Sequence, residues 1–332
     1  MEDYVASATR YATADKLYRR CGTCGVLLPK VSLGFWQNFG ADASYETCRA
    51  IARLAFDNGI THFDLANNYG PPPGAAEELL GRMLREDFSL YRDELFIATK
   101  AGYDMWAGPY GSWGSRKHLI ASINQSLSRL QLDYVDLFYI HRFDPVTPLE
   151  ETLQALVDIV RSGKALYIGI SRWPLAALKY ANTFLRQQGC PPLIFQGRLN
   201  LLDRAVLEEG VTAYCAEEGL GFISFSALAQ GLLTSRYLEG IPKDSRMARA
   251  ASLTQDKLTP ELLEYLHRLH SIATERGESL VTISLAWVLA QRGVTSVLVG
   301  ARTPEQFTES LRCINVSKNL YEDLPLYPCK VF

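Results

Sequence analysis

The sequence predicts an α/β protein with the architecture of a (β/α)8 TIM barrel, and three observations support this fold class. Short apolar runs recur along the chain and suit parallel strands that are covered on both faces. Amphipathic helical patterns separate these runs, as in the stripe formed by Leu119, Ile123, Leu127 and Leu130. The 332 residues provide room for eight such units, and we expect a single domain over residues 1–332.

Eight candidate strands can be placed along the chain, and most of them are almost wholly apolar. They are Val31–Gly34, Thr61–Ala66, Leu95–Lys100, Val135–His141, Ala165–Ser171, Leu193–Asn200, Gly221–Leu228 and Ser296–Ala301. Six glycines fall just past a helical pattern, where a left-handed residue ends a helix at little steric cost. They are Gly59, Gly163, Gly189, Gly219, Gly277 and Gly293.

Three segments lie outside the repeating unit. Leu17 to Pro29 is interpreted as a small hairpin that precedes the main fold and plugs one end of the barrel. Two helical patterns, Pro260–Arg276 and Ser279–Gln291, occur between the seventh and eighth strands, so we expect one extra helix. The polar loop Tyr237–Thr259 precedes them and is the predicted lid.

An open doubly wound sheet would show the same alternation of strands and helices. That fold usually carries a glycine-rich phosphate loop, but no GxGxxG follows the first strand and no Walker A sequence occurs. The barrel is therefore the preferred interpretation.

Charge and hydropathy exclude several classes of partner. The 34 Lys and Arg residues nearly balance the 36 Asp and Glu residues, and no basic block stands out, so we expect no nucleic acid and no anionic membrane as a partner. The N-terminus has no apolar signal region, and no apolar run approaches the roughly 20 residues of a bilayer helix. We expect a cytoplasmic protein without membrane insertion.

The seven cysteines are scattered along a long chain and are expected to be reduced thiols. Cys21 and Cys24 form a CxxC, but no second CxxC or nearby pair of histidines completes a zinc site, so we interpret it as a turn of the hairpin. His267 and His270 lack the Glu of an HExxH motif. No metal site is predicted.

Four polar residues lie at or just after the C-terminal ends of apolar strands. Active sites of this kind of barrel lie at that end. Asp64 lies near the end of the second strand, Tyr69 in the loop after it, Lys100 at the end of the third strand and His141 at the end of the fourth. Neighbouring strands are about 4.8 Å apart, so these side chains can converge at the mouth of the barrel. Each has a structural explanation alone, whereas their joint placement favours a site.

This set suits general-acid catalysis. A nearby ammonium favours the phenolate form of a tyrosine, and a carboxylate paired to that ammonium holds it in place. Tyr69, Lys100 and Asp64 fit these roles, and His141 can orient a carbonyl oxygen. A phenol tuned in this way can protonate that oxygen while a hydride arrives at the carbon.

Several motifs resemble the aldo-keto reductase superfamily from about Tyr18 to Ile314. They include FDLANNYGPPPG, IATKAGYDMW, GISRW, LAQGLLTSRYLEGIPKDSRM and VLVGARTPEQ. The resemblance is closest to the branch that contains L-glyceraldehyde 3-phosphate reductases and the beta subunits of voltage-gated potassium channels. It implies that the catalytic tetrad of the family falls on Asp64, Tyr69, Lys100 and His141.

The resemblance also implies NADPH bound in an extended form over the barrel mouth, without a Rossmann domain. The residues that the resemblance assigns to this cofactor are Trp36, Ser171, Arg172, Gln196, Ser226, Leu228, Gln230, Gly231, Arg236, Arg246, Gly300, Arg302, Gln306 and Glu309. Guanidinium groups suit a 2′-phosphate, and Pro304 opens a helix whose N-terminal amides attract anions.

The chain departs from the family pattern in the sixth strand and in its C-terminal tail. Relatives carry Gln-Pro-x-Tyr-Asn, whose tyrosine stacks on the nicotinamide, whereas this chain has Gln196 to Asn200 with Leu199 in the tyrosine's place. We expect Leu199 to cover the ring without stacking on it. After Ile314 the tail differs from the usual closing helix.

The leading interpretation is an NADPH-dependent reductase of small aldehydes, such as L-glyceraldehyde 3-phosphate or methylglyoxal, and a homo-oligomer is left open. Two alternatives remain: a nucleotide-sensing subunit with slow turnover, and a metal-dependent barrel hydrolase, for which the cluster of His and Asp at strand ends is missing. Five aromatic residues are candidates for a wall of the carbonyl substrate pocket: Trp36, Tyr103, Trp106, Trp113 and Trp173.

Overall fold

The computed structural model describes residues 4–243, 245, 247–248, 252–321, 323–328 and 331. Within these residues the strands are β1 Tyr18–Arg20, β2 Leu27–Pro29, β3 Val31–Gly34, β4 His62–Asp64, β5 Phe96–Ala101, β6 Val135–Ile140, β7 Ala165–Ser171, β8 Pro192–Arg198, β9 Gly221–Phe225 and β10 Val294–Val299. The α-helices are α1 Ala14–Leu17, α2 Tyr45–Asp57, α3 Ala75–Met83, α4 Arg116–Leu130, α5 Leu149–Arg161, α6 Leu175–Gln187, α7 Ala205–Glu208, α8 Val211–Glu218, α9 Pro260–Glu275, α10 Leu280–Ala290 and α11 Pro304–Leu311.

Strands β3 to β10 form a closed barrel in the order β10-β3-β4-β5-β6-β7-β8-β9, and all neighbouring pairs are parallel. The predicted (β/α)8 barrel is therefore confirmed. All six predicted helix-ending glycines have φ between 71° and 85°, the left-handed region in which glycine has no Cβ to clash.

The extra helix between the seventh and eighth barrel strands is confirmed as well. α9 and α10 both lie between β9 and β10, and Thr259 and Ser279 cap their N-termini by accepting hydrogen bonds from backbone amides. Residues 280–289 of α10 are buried all round, because this helix lies between β10, α9 and α11. No helix among the described residues is long and apolar enough to cross a membrane.

The N-terminal hairpin closes the barrel at the end opposite the mouth. β1 pairs antiparallel with β2, and Cys21 and Leu28 pack against interior side chains such as Leu137 and Tyr139. Thr23 N donates to Gly219 O at 3.0 Å, which fixes the turn of the hairpin to the end of α8. The plug expected from Leu17 to Pro29 is therefore present.

Several strands end earlier than the sequence predicts. β4 spans His62–Asp64 rather than Thr61–Ala66, β8 ends at Arg198 rather than Asn200, and β9 ends at Phe225 rather than Leu228. The bounds of β5 and β6 differ from the prediction by one residue, and β10 spans Val294–Val299 rather than Ser296–Ala301. The chain leaves the ladder at the mouth because left-handed residues such as Ser226, with φ 52°, turn it into the loops.

Candidate active site

A cavity of about 840 Å³ opens at the C-terminal ends of the barrel strands. One end lies over Tyr69 and His141, and the cavity extends past the loop after β9 to Gln306 and Glu309 on α11. A cleft of this size can take a ligand much longer than a small aldehyde.

An ion pair lies beneath the near end of the cavity. Lys100 is fully buried on β5, and its ammonium donates a hydrogen bond to Asp64 Oδ2 and another, of 2.6 Å, to Leu65 O. Gln196 Nε2 donates to Asp64 Oδ1 at 3.0 Å, so both oxygens of the carboxylate are engaged. Burial raises the pKa of Asp64 and lowers that of Lys100, whereas each charge opposes the shift of its partner's pKa.

Tyr69 sits in the loop between β4 and α3, where its backbone is held at both ends. Its N–H donates to Ala66 O at 3.0 Å, and its carbonyl accepts from Ala76 N at 3.3 Å. Burial, followed by the charge of Asp64, raises the pKa of Tyr69 well above its usual value, and Arg172 only partly opposes this shift. Burial and the charge of Asp64 therefore favour the protonated phenol in the resting site.

His141 follows β6 and is buried beside Tyr69. The ring centres of His141 and Tyr69 lie 5.7 Å apart, and Tyr103 packs edge-on against the imidazole at 4.7 Å. Burial and the positive charges of Lys100, Arg172 and Arg142 hold the pKa of His141 well below its usual range, so the imidazole is neutral. Its Nδ1 has no hydrogen-bond partner among the described residues.

The far end of the cavity is built by the loop after β10 and by α11. Thr303 caps this helix by accepting from Gln306 N, and Arg302 N donates to Gln306 Oε1 at 3.0 Å. Arg302, which precedes this helix, lines the cavity, and so does Arg236. A helix N-terminus and two guanidinium groups make an environment that favours anions.

Ser252, in the predicted lid loop, contacts residues on two sides of the cavity mouth. Ser252 Oγ donates to Gln230 Oε1 and lies 3.5 Å from Gln37 Oε1, and Gln230 Nε2 donates back to Ser252 O at 3.2 Å. Gln37 follows β3 and Gln230 follows β9, so Ser252 bridges two sides of the mouth. Residues 244, 246 and 249–251 of the predicted lid lie outside the described residues.

Comparison with known proteins identifies the family. The model of the Aldo/keto reductase family matches residues 30–323. The chain belongs to the aldo/keto reductase family. It is therefore an oxidoreductase.

Curated relatives cover most of this aldo/keto reductase. It is 52% identical over 316 residues to the L-glyceraldehyde 3-phosphate reductase of Escherichia coli K12. This match covers 94% of this chain and 91% of the relative. It is 33% identical over 305 residues to a probable voltage-gated potassium channel subunit beta of Oryza sativa subsp. japonica, and 32% identical over 305 residues to one of Arabidopsis thaliana. Both matches cover 90% of this chain and 91% of the relative.

The structure gathers nearly all of the predicted site residues of the reductase around one cavity. Lys100 lies beneath its floor, and Arg246 lies outside the described residues. The predicted residues that line the cavity are Trp36, Asp64, Tyr69, His141, Ser171, Arg172, Gln196, Ser226, Leu228, Gln230, Gly231, Arg236, Gly300, Arg302, Gln306 and Glu309.

Leu199 is where the sequence-based expectation is wrong. Its side chain is fully buried in the hydrophobic core and is not among the residues that line the cavity. Side chains alternate along a strand, so Gln196 and Arg198 face the cavity while the residues next to them face away. The aromatic side chain at this wall is Phe225, at the end of β9.

The aromatic wall is only partly present. Trp36 and Tyr103 line the cavity, but the other three candidates pack elsewhere. The indole of Trp113 stacks on the Arg142 guanidinium at 3.6 Å and is 43% exposed, Trp106 lies against His118, and Trp173 is buried against Phe143.

Sequence reasoning missed Arg198 and Phe225, which both line the cavity. The alternation of side chains along β8 from Gln196 onward could have identified Arg198, because residues two apart share a face. Phe225 lies between apolar strand residues and Ser226, and no sequence signal separates it from a core phenylalanine.

Proposed function

We propose that this protein is an NADPH-dependent reductase of small aldehydes, with Tyr69 as the general acid. The observation that carries this proposal is a phenol above a buried Asp64–Lys100 pair, at one end of a cavity of about 840 Å³ whose lining extends to Glu309 on α11. A hydride adds to the carbonyl carbon, and the Tyr69 hydroxyl gives its proton to the carbonyl oxygen, so that an alcohol forms. Water returns a proton to the phenolate.

Lys100 and Asp64 act on Tyr69 from below the cavity floor. The Lys100 ammonium lies 5.1 Å from the centre of the Tyr69 ring, so it stabilises the negative charge that develops on the phenol as the proton leaves. Asp64 and Leu65 O hold the ammonium at that place. The neutral imidazole of His141 carries one N–H, which can orient the carbonyl oxygen.

The residues around the cavity fit a nicotinamide dinucleotide phosphate. Ser171 Oγ and His270 Nδ1 are buried side-chain atoms of cavity-lining residues without a hydrogen-bond partner among the described residues, so each is available to a ligand. Arg302 and Arg236 provide cationic groups for phosphates, and Gln306 and Glu309 provide polar groups for the adenosine. NADPH supplies the hydride when it is bound.

The relatives support a small carbonyl substrate. One of them is named for the reduction of L-glyceraldehyde 3-phosphate, and the part of the cavity near Tyr69, His141 and Tyr103 is bounded by bulky rings. We propose L-glyceraldehyde 3-phosphate or a small dicarbonyl such as methylglyoxal as substrate.

Steady-state oxidation of NADPH with a panel of short aldehydes tests this function. Turnover that saturates with aldehyde supports the reductase. Tight binding of NADPH without turnover would instead support a nucleotide-sensing subunit, which the similarity to potassium channel beta subunits keeps as the second candidate. Leu199 gives no support to that candidate, because it does not line the cavity.

A further inference from the structure

Two arginines stand at the ends of neighbouring strands beside the reacting end of the cavity. Arg172 follows β7 and Arg198 ends β8, and both line the cavity. In the barrel register Ser171 pairs with Gln196, and Gln196 donates to Asp64. Arg198 is two residues further along β8 than Gln196, so it lies roughly 6–7 Å closer to the opening of the cavity.

The two guanidinium groups flank one aromatic ring. The Cζ atoms of Arg172 and Arg198 lie 5.6 and 5.8 Å from the centre of the Phe225 ring, which borders the same cavity. The charge of Arg172 lowers the pKa of Tyr69 and contributes to lowering that of Arg198, whose burial has the larger effect. Arg172 is thus close to Tyr69, and Arg198 is close to Arg172.

Among the described residues that line the cavity, the carboxylates are Asp64, which contacts Lys100, and Glu309, which lies at the far end. Arg198 Nη1 lies 3.6 Å from Asp203, a nearly buried carboxylate behind the wall. Asp203 therefore holds the Arg198 guanidinium from behind the wall of the cavity.

We propose that Arg198, supported by Arg172, holds the phosphoryl group of the substrate, so that the enzyme prefers phosphorylated short aldehydes to neutral ones. This proposal rests on the proposed function. A planar guanidinium matches the oxygens of a phosphate with two parallel hydrogen bonds, which fixes orientation as well as affinity. With the phosphoryl group at Arg198, the carbonyl of a three-carbon aldehyde is directed down toward Tyr69 and His141.

Replacement of Arg198 by methionine keeps much of the side-chain volume and removes the charge. We expect the ratio of kcat/KM for glyceraldehyde 3-phosphate to kcat/KM for glyceraldehyde to fall roughly 10- to 100-fold in Arg198→Met, the scale of a hydrogen bond to a charged group. Arg198→Lys should give an intermediate ratio. Arg292→Met is the matched control, since it removes one positive charge from an exposed site and should leave the ratio unchanged.

Cofactor binding separates this role from the alternatives. The Kd for NADPH, measured by fluorescence titration, should change less than about threefold in Arg198→Met. An unchanged ratio would overturn the proposal, as would a large loss of NADPH affinity with equal losses for both aldehydes. If circular dichroism shows that Arg198→Met is unfolded, Arg198→Gln replaces it in the same comparison.

A direct binding measurement keeps the test independent of turnover. Calorimetric titration of the protein–NADPH complex with glycerol 3-phosphate should show binding that weakens at least tenfold in Arg198→Met, while glycerol itself binds at least tenfold more weakly. Equal binding of glycerol and glycerol 3-phosphate would overturn the phosphoryl site even in an active reductase. Binding of glycerol 3-phosphate that depends on Arg198 in a protein without turnover would support the site while the proposed function fails.

Discussion

The Lys100 ammonium lies 5.1 Å from the centre of the Tyr69 ring, while the same ammonium is hydrogen-bonded to Asp64 and Leu65 O beneath it. Burial raises the pKa of Tyr69 and favours the neutral phenol in the resting site. The Lys100 ammonium is nevertheless close enough to stabilise the phenolate during proton transfer. Lys100 therefore stabilises the transition state of proton transfer more than the resting phenol. The first two predictions test this.

Tyr69→Phe removes the proposed proton donor and keeps the ring. We expect NADPH to bind with little change and the rate of aldehyde reduction to fall by roughly 100-fold or more, the usual scale for a positioned general acid. The measurement is single-turnover oxidation of bound NADPH. A near-normal rate would remove Tyr69 from the mechanism.

Lys100→Met removes the ammonium that is paired with the buried Asp64 carboxylate. Of the two side chains described as hydrogen-bonded to Asp64, Gln196 remains. We expect a loss of roughly 3–5 kcal/mol in the free energy of unfolding, together with a large loss of activity. The double variant Lys100→Met/Asp64→Asn should recover much of the stability but not the activity. Urea unfolding and NADPH oxidation check the two effects; recovery of both would contradict a catalytic role for Lys100.

His62 lies inside the barrel, where its Nδ1 is 2.8 Å from Ser32 Oγ, and burial lowers its pKa to about 3. The unfolded chain takes up a proton near pH 6.5 and the folded chain does not, so stability is lost as the pH falls below 6.5. From pH 7.5 to 5.5, His62 should reduce the free energy of unfolding by about 1.4 kcal/mol. Urea unfolding of His62→Gln should show a pH-dependent loss smaller by that amount; an equal loss would contradict the shift.

Arg302 tests the choice of cofactor. We expect Arg302→Ala to weaken NADPH binding by roughly tenfold and to leave NADH binding almost unchanged, since a guanidinium near a 2′-phosphate distinguishes the two. Parallel fluorescence titrations with both cofactors measure this. Equal affinity for NADH and NADPH in the unmodified protein would show that this end of the cavity does not bind the 2′-phosphate.

Phe225 lines the cavity at the wall where we expected Leu199 to cover the nicotinamide. Phe225→Leu keeps an apolar side chain but loses a flat face in the cavity, so NADPH should bind roughly 2- to 13-fold more weakly if the nicotinamide stacks there. Leu199→Tyr should instead lower the free energy of unfolding by roughly 1–3 kcal/mol, because it overfills the core. Tighter NADPH binding in Leu199→Tyr would restore the original interpretation.

The barrel and the core of the site could be predicted because their signals are local. Strands such as Ala165–Ser171 can be recognised from their own apolar residues. Asp64 and Lys100 stand out because they interrupt apolar runs, where an unpaired charge is costly. Proximity then followed from the order of the strands, because consecutive parallel strands are neighbours in a barrel.

The remaining features depend on three-dimensional packing. Whether Leu199 or Phe225 faces the cavity depends on where β8 and β9 leave the ladder, and those ends were predicted two to three residues too late. The protonation of Tyr69 depends on how deeply the barrel buries it and on its exposure to the charge of Asp64, neither of which a sequence pattern contains.

The hairpin at the closed end of the barrel has an evolutionary consequence. Its contacts, such as Cys21 and Leu28 against the barrel interior and Thr23 against Gly219, lie at the end opposite Tyr69 and Arg198. Substitutions there alter how firmly the barrel is closed without changing which groups meet a substrate. Substitutions that change stability at the hairpin and substitutions that change substrate choice at the mouth therefore fall on different residues, so one property can change with little effect on the other.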